Sequence, residues 1–371
     1  MQREIDRVVA QGAAQPALRG RPSPSTLAAT QVRCATFEQL TYCLHVGWTD
    51  SSPTEVRARI TAAAAAEARS APTATATVNT GDLDPLADLT ASARMAPRAR
   101  AAADRAELTD AARAVAKVWS IRHDILGEPY PRGFWRRHPE ARPTGTGTGA
   151  GTTSYAARSG SASASPTATA TPKAKPKKKS IADYPKKDTV LDPHQVREQV
   201  RSYWCGPTST QMIVWGWTGK KRTQKHWANE LGTTTSGTAI SSIVRVVNRR
   251  TGWDNKAHAG PYITLDVKGW SYGKWYLLLA RHVHDYRAPL VLHPILLKKY
   301  YPYLDDDASG HYQVGRGYFT RKDGVRMISY FEPWNQQRFD PSEPFIKRVQ
   351  WQRAYRSYRA NLAHPYHNIG V

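Results

Sequence analysis

The sequence predicts an α+β fold built in its second half, and three observations carry that prediction. Most of the chain's 12 tryptophans lie beyond position 200, so the material for a large core sits there. Helical patterns come first in that half, beginning at Cys205. Runs rich in β-branched and aromatic residues follow them. Helices followed by a mostly antiparallel sheet make an α+β plan rather than the alternating units of a parallel sheet.

In residues 1–142, Ser52 and Glu55 have capping-box spacing ahead of an alanine-rich helix. A second helix is expected from a cap at Thr109 or Asp110 to a stop at Gly127. These helices carry mainly Ala and Arg, so this partly helical region of unknown role is expected to fold apart from the rest and to be dispensable for catalysis, as a pro-segment or tether. Residues 143–182 form a Gly, Ser, Thr and Pro linker that cannot bury enough apolar surface to order itself, and its end carries Lys173, Lys175, Lys177, Lys178 and Lys179. Residues 183–371 are the main domain. Its helices are expected from Cys205 to Trp217, across 224–231 with Gly232 as terminator, and after a cap at Thr238 with Ile240, Ile243 and Val247 on one face. Strands are expected from Tyr262, Pro289, His311 and Val325. Trp351, Tyr355, Tyr358 and Leu362 fit one helical stripe that packs on the domain and leaves Arg353, Arg356 and Arg359 outside. Asp305, Asp306 and Asp307 read as a solvated loop, since they lack the spacing of a calcium loop.

Fifty-three Lys and Arg against 30 Asp and Glu give a net charge of +23, which attracts polyanions over long range. No zinc-finger spacing, basic zipper or aromatic RNA-binding signature accompanies the charge, so anionic cell-wall polymers and membranes are better candidates than nucleic acid. No cofactor and no metal is expected. The start of the chain has acidic residues and no unbroken apolar stretch, unlike a secretory signal, and no run is long enough for a transmembrane helix. Cytoplasmic location, another export route and a start downstream of the true one all remain open. Three cysteines are too few for a disulfide scaffold. Cys34 and Cys43 read equally as a bridge or as two thiols, and Cys205 stands apart from both.

Cys205 precedes Gly206 and Pro207 at the start of a predicted helix. There the dipole favours thiolate, and with a nearby imidazolium the pKa can fall from about 8.5 to roughly 3–4. Six residues earlier, the Gln199 amide is a candidate donor to an oxyanion, with the Cys205 backbone N–H as the second. Of 12 histidines, His311 is the best-placed base, because it follows Gly310 and opens an alternating strand. The next strand ends in Glu332, Pro333, Trp334 and Asn335, which sets an acid or amide beside His311 Nδ1.

With these residues assembled, the chain resembles papain-fold cysteine peptidases similar to the double-glycine-leader, bacteriocin-processing family, above all its secreted stand-alone relatives in actinobacteria. The resemblance rests on Gln199, Tyr203 to Pro207, Ser236 to Thr238, Gly310 to Tyr312 with Val314 and Gly317, and Glu332-Pro333. It implies a papain-like domain over 183–371 that cleaves a peptide or amide bond through an acyl-enzyme, with Cys205 as nucleophile, His311 as base, Gln199 as oxyanion donor and the residue before Pro333 as third member. The family usually has Asp there. Glu332 is one methylene longer, which leaves Asn335 as the rival orienting residue. The resemblance also implies a peptide or protein substrate and work outside the cytoplasm, at or near the cell wall. Two further readings stand: a silent papain-fold module that binds peptide or cell-wall polymer, and an amidase acting on peptidoglycan or a γ-glutamyl linkage.

Overall fold

Residues 290–292 are buried at every position because the sheet they enter is covered on both faces. Leu290 and Leu292 join one apolar cluster while Val291 joins another, as the two-residue period of a strand requires. This strand and its neighbours organise the molecule. The computed structural model describes residues 1–20, 22–70, 78–83, 85–139, 179–252, 261–334, 336–339, 341 and 345–371.

In chain order the strands are β1 (Cys34–Phe37), β2 (Leu40–Cys43), β3 (Gly47–Thr49), β4 (Lys187–Thr189), β5 (Thr264–Asp266), β6 (Leu290–Leu292), β7 (Gln313–Thr320), β8 (Arg326–Phe331), β9 (Val349–Arg353) and β10 (Asn368–Gly370). They form one sheet in the order β1-β2-β3-β5-β10-β6-β7-β8-β9, with β4 also on β7. Its pairings are antiparallel except that of β3 with β5. The helices are α1 (Gln2–Ala13), α2 (Pro24–Gln31), α3 (Pro53–Ser70), α4 (Pro85–Arg94), α5 (Pro97–Ile121), α6 (Phe134–Arg137), α7 (Cys205–Thr218), α8 (Gln224–Leu231), α9 (Ile240–Thr251), α10 (Tyr272–His284), α11 (Gln336–Phe339) and α12 (Ala354–Ala363). This is an α+β structure. No helix among the described residues is long and apolar enough to cross a membrane.

The expectation that the two halves fold apart is overturned. Trp48 on β3 pairs with Leu265 on β5, so the first half supplies three strands to the common sheet. Ile5, Phe37, Trp48, Leu108, Val115 and Trp119 share a core with Leu265, Trp275, Leu279, Tyr318 and Tyr330. Each such side chain contributes about 1.5–3 kcal/mol on burial, so a few of them outweigh the alanine-rich appearance of the helices. Within α1 the buried residues Ile5, Val8, Val9 and Gly12 follow the helical period. Arg33 and Asp104, both buried, join the β1 edge to α5 at 2.6 Å. Cys34 and Cys43 face each other across β1 and β2 and form a disulfide.

The predicted α7, α8 and α9 form, and Gly232 ends α8 in the left-handed region. The capping box at Ser52 and Glu55 forms as well. Several boundaries differ. The helix expected from Thr109 begins at Pro97, where proline occupies the first turn, and a π turn carries it on to Gly127. The N-cap of α9 is Ala239 rather than Thr238, whose hydroxyl bonds Thr233 Oγ1 at 2.8 Å instead. The tail stripe is not one helix, since Trp351 lies on β9 and α12 starts at Ala354. The linker falls outside the described residues up to position 178. Lys179 is paired with Asp285 at 2.7 Å.

Candidate active site

The start of α7 needs no side-chain cap. Pro207 falls in the first turn, where a missing amide costs nothing, and the Thr208 N–H reaches Trp204 O at 3.0 Å. Gly206 permits a close approach there. A Cβ at that position would lie 2.7 Å from Thr238 Cβ. Cys205, at the head of the helix, is unpaired and fully buried. The backbone amides of Tyr312 and Gly206 both favour its thiolate. Tyr312 follows His311, so the helix start meets the chain just ahead of β7.

His311 precedes β7 by two residues, and its own N–H is held by Pro294 O at 2.8 Å. β7 and β8 pair Val314 with Phe331, so the chain one step further brings Gln313 towards Glu332. Glu332 Oε1 lies 2.7 Å from His311 Nε2 and accepts the Trp334 N–H at 3.0 Å. Its Oε2 accepts from Tyr303 Oη and from Gln313 Nε2, each at 2.7 Å. Burial opposes ionisation of this carboxyl, but the facing His311 and these donors outweigh it and hold it below the usual range. The carboxylate therefore meets Nε2 and not the expected Nδ1. His311 Nδ1 is buried and makes no hydrogen bond among the described residues. Asn335, the rival orienting residue, lies outside the described residues.

Gln199 is also fully buried. Its Nε2 donates to the carbonyls of Thr80 at 3.2 Å and Arg201 at 3.1 Å, and to that of Ser202. The amide expected to face an oxyanion thus faces three carbonyls, one of them from the first half of the chain. The expected low thiol pKa is not found either. Burial pushes the Cys205 thiol well up, and the charges of Asp82 and Glu332 add to it, against the two backbone N–H groups. The helix start is outweighed because the site is closed to water.

Sequence reasoning missed Thr80, Gly81 and Asp82. The Asp82 carboxylate receives Tyr312 Oη at 3.0 Å and lies 2.9 Å from His293 Nε2 and 2.6 Å from His364 Nε2. Burial opposes its ionisation, yet the two imidazoles overcome it and hold the carboxyl far below its usual range. Burial, with His293 beside it, takes His364 down to about 4. The three ligand-type atoms lie within 4.8 Å of one another. His364 Nδ1 accepts the Tyr366 N–H at 3.2 Å, which puts the ring proton on Nε2, facing Asp82. In this pattern His364 and Tyr312 donate to the Asp82 carboxylate, and His293 lies beside it at ion-pair distance. Asn368 completes the cluster, with Oδ1 2.7 Å from His293 Nδ1 and its amide on Val46 O at 2.9 Å. These partners lie more than 200 residues apart in sequence, so no local signal marks them.

Residues 186–359 match the model of the Peptidase_C39 like family. The match supports the likeness of this stretch to C39-type cysteine peptidases. No curated protein and no solved structure matches this chain.

Proposed function

We propose that this chain, whose second half matches a peptidase family, is a papain-like cysteine peptidase in which Cys205 is the nucleophile, His311 the general base and Glu332 the orienting carboxylate. The observation that carries the reading is the 2.7 Å contact of Glu332 with His311 Nε2, made while Nδ1 makes no hydrogen bond among the described residues and the backbone amide of the next residue, Tyr312, favours the Cys205 thiolate. In this scheme Nδ1 takes the thiol proton, sulfur attacks the amide carbonyl, and the imidazolium returns the proton to the leaving amine. Water then hydrolyses the thioester by the same base. Glu332 stabilises the imidazolium and fixes the ring. The Cys205 backbone N–H and the Gln199 amide would receive the oxyanion once Gln199 is free of the Thr80 carbonyl.

Work outside the cytoplasm, in the manner of the secreted actinobacterial relatives, is part of the proposal. It is supported by the Cys34–Cys43 disulfide, which persists in oxidising compartments, and by a net charge of +23, suited to an anionic cell-wall polymer. The test is hydrolysis of a mixed peptide library by the purified full chain, with cleavage products read by mass spectrometry. Cleavage by the wild type and none by Cys205→Ala supports the proposal. Equal cleavage by both overturns it.

A further inference from the structure

Cys205, His311, Glu332 and Gln199 are all 0% exposed, so no peptide reaches them unless something moves. The segment Asn79–Leu83 lies between the two walls that flank Cys205 and His311. On one side, Thr238 N–H donates to Gly81 O at 3.0 Å and Leu83 N–H donates to Thr238 O at 3.1 Å. On the other, Asp82 N–H donates to Gly310 O at 3.3 Å and Thr80 Oγ1 donates to the same carbonyl at 2.6 Å. Gly310 directly precedes His311.

We infer that the space between Thr238 and Gly310 is the groove that takes an extended peptide, and that Asn79–Leu83 is its resident occupant, which must leave before Cys205 reacts. The inference rests on the peptidase reading above.

Three features favour an occupant over an ordinary connection. Its bonds to Thr238 are between main chains, and its main chain also bonds Gly310 O, so the main chain of another peptide can make the same bonds. The Thr80 carbonyl accepts from Gln199 Nε2 at 3.2 Å, which puts a peptide carbonyl on the amide proposed to receive a substrate's oxyanion. Gly81 lies against the backbone of Tyr203 and Trp204, immediately before Cys205, at a φ of +110° where a Cβ would overlap that backbone. Only glycine lets a chain pass so close to the nucleophile. Asp82 moors the segment through Tyr312, His293 and His364.

The experiment follows alkylation of Cys205, the one free cysteine, by iodoacetamide in the full chain, read by intact mass. Gly81→Ala forces the segment off Tyr203 and should speed labelling by at least about tenfold, the effect of some 1.4 kcal/mol on the opening equilibrium. Thr80→Val, of equal size, loses only its hydroxyl bonds and should give a smaller rise. It carries the test alone if Gly81→Ala does not fold. The pentapeptide Asn-Thr-Gly-Asp-Leu added in trans should slow labelling of the variants and leave the wild type unchanged. Labelling of folded variants at the wild-type rate, or no protection by the pentapeptide, overturns the inference. Fast labelling with protection but no hydrolysis would keep the occupied groove and remove the peptidase reading. Hydrolysis by the wild type at the rate of Gly81→Ala would do the reverse.

Discussion

Glu332 Oε1 stands 2.7 Å from His311 Nε2 with both side chains fully buried, and Tyr303, Gln313 and the Trp334 N–H hold the same carboxylate. Its extra methylene relative to aspartate is accommodated by these partners, which fix the head group against the ring. Glu332→Gln keeps the shape but removes the charge that stabilises imidazolium. We predict a fall in kcat of about 10²- to 10⁴-fold with little change in KM, read by steady-state peptide hydrolysis.

Glu332→Ala removes the carboxylate to which Gln313 and Tyr303 make their shortest hydrogen bonds. It should cost roughly 1–3 kcal/mol of stability for each buried group left unsatisfied, beyond the loss of activity, measured by urea denaturation.

Removing the first half should unfold the second. Without β3 the edge of β5 is bare, and the shared core loses Phe37, Trp48, Leu108 and Val115. A fragment beginning at Asp183 is predicted to be insoluble or without cooperative melting when expressed alone. A chain nicked between 143 and 178 should instead elute as one particle on gel filtration, with both pieces present.

The Cys34–Cys43 bridge closes a short loop, with a sequence separation of 9. Loop-closure entropy for that length amounts to about 2–3 kcal/mol. Reduction should therefore lower the unfolding free energy by about that amount, read as a lower denaturation midpoint at unchanged m, without abolishing the fold.

Acid should destabilise the chain in a defined window. Burial takes His364 and His367 down to about 4, so the unfolded chain, with imidazoles near 6.5, binds more protons between those values. Stability is fully present above about pH 6.5 and is lost as pH falls towards about 4. Asp82 and Glu332, with depressed carboxyl values, extend the loss below that. The slope of unfolding free energy against pH over this window should be smaller in His364→Gln than in the wild type.

Much of the second half was legible because its signals are local. The Cys205-Gly206-Pro207 helix start, the Gly232 stop and the strand ending at Phe331 each depend on neighbours in sequence. The first half was misread for a physical reason. Ile5, Val8 and Val9 or Phe37 and Trp48 are too few to form a core by themselves, and they become one only against Leu265, Trp275 and Tyr330, more than 200 residues away. The same distance hid Asp82, whose partners are Tyr312, His293 and His364. The thiol was misjudged because a helix start was visible in the sequence and its complete burial was not.

The measurement that bears most directly on the whole account is acid-quenched mass spectrometry of the full chain during peptide turnover. An acyl group of substrate mass, lost on mild alkaline hydroxylamine, is predicted on the peptide containing Cys205, accumulating in the wild type and absent from both Cys205→Ala and His311→Ala. Turnover with no adduct in the wild type and undiminished cleavage by Cys205→Ala would contradict this prediction.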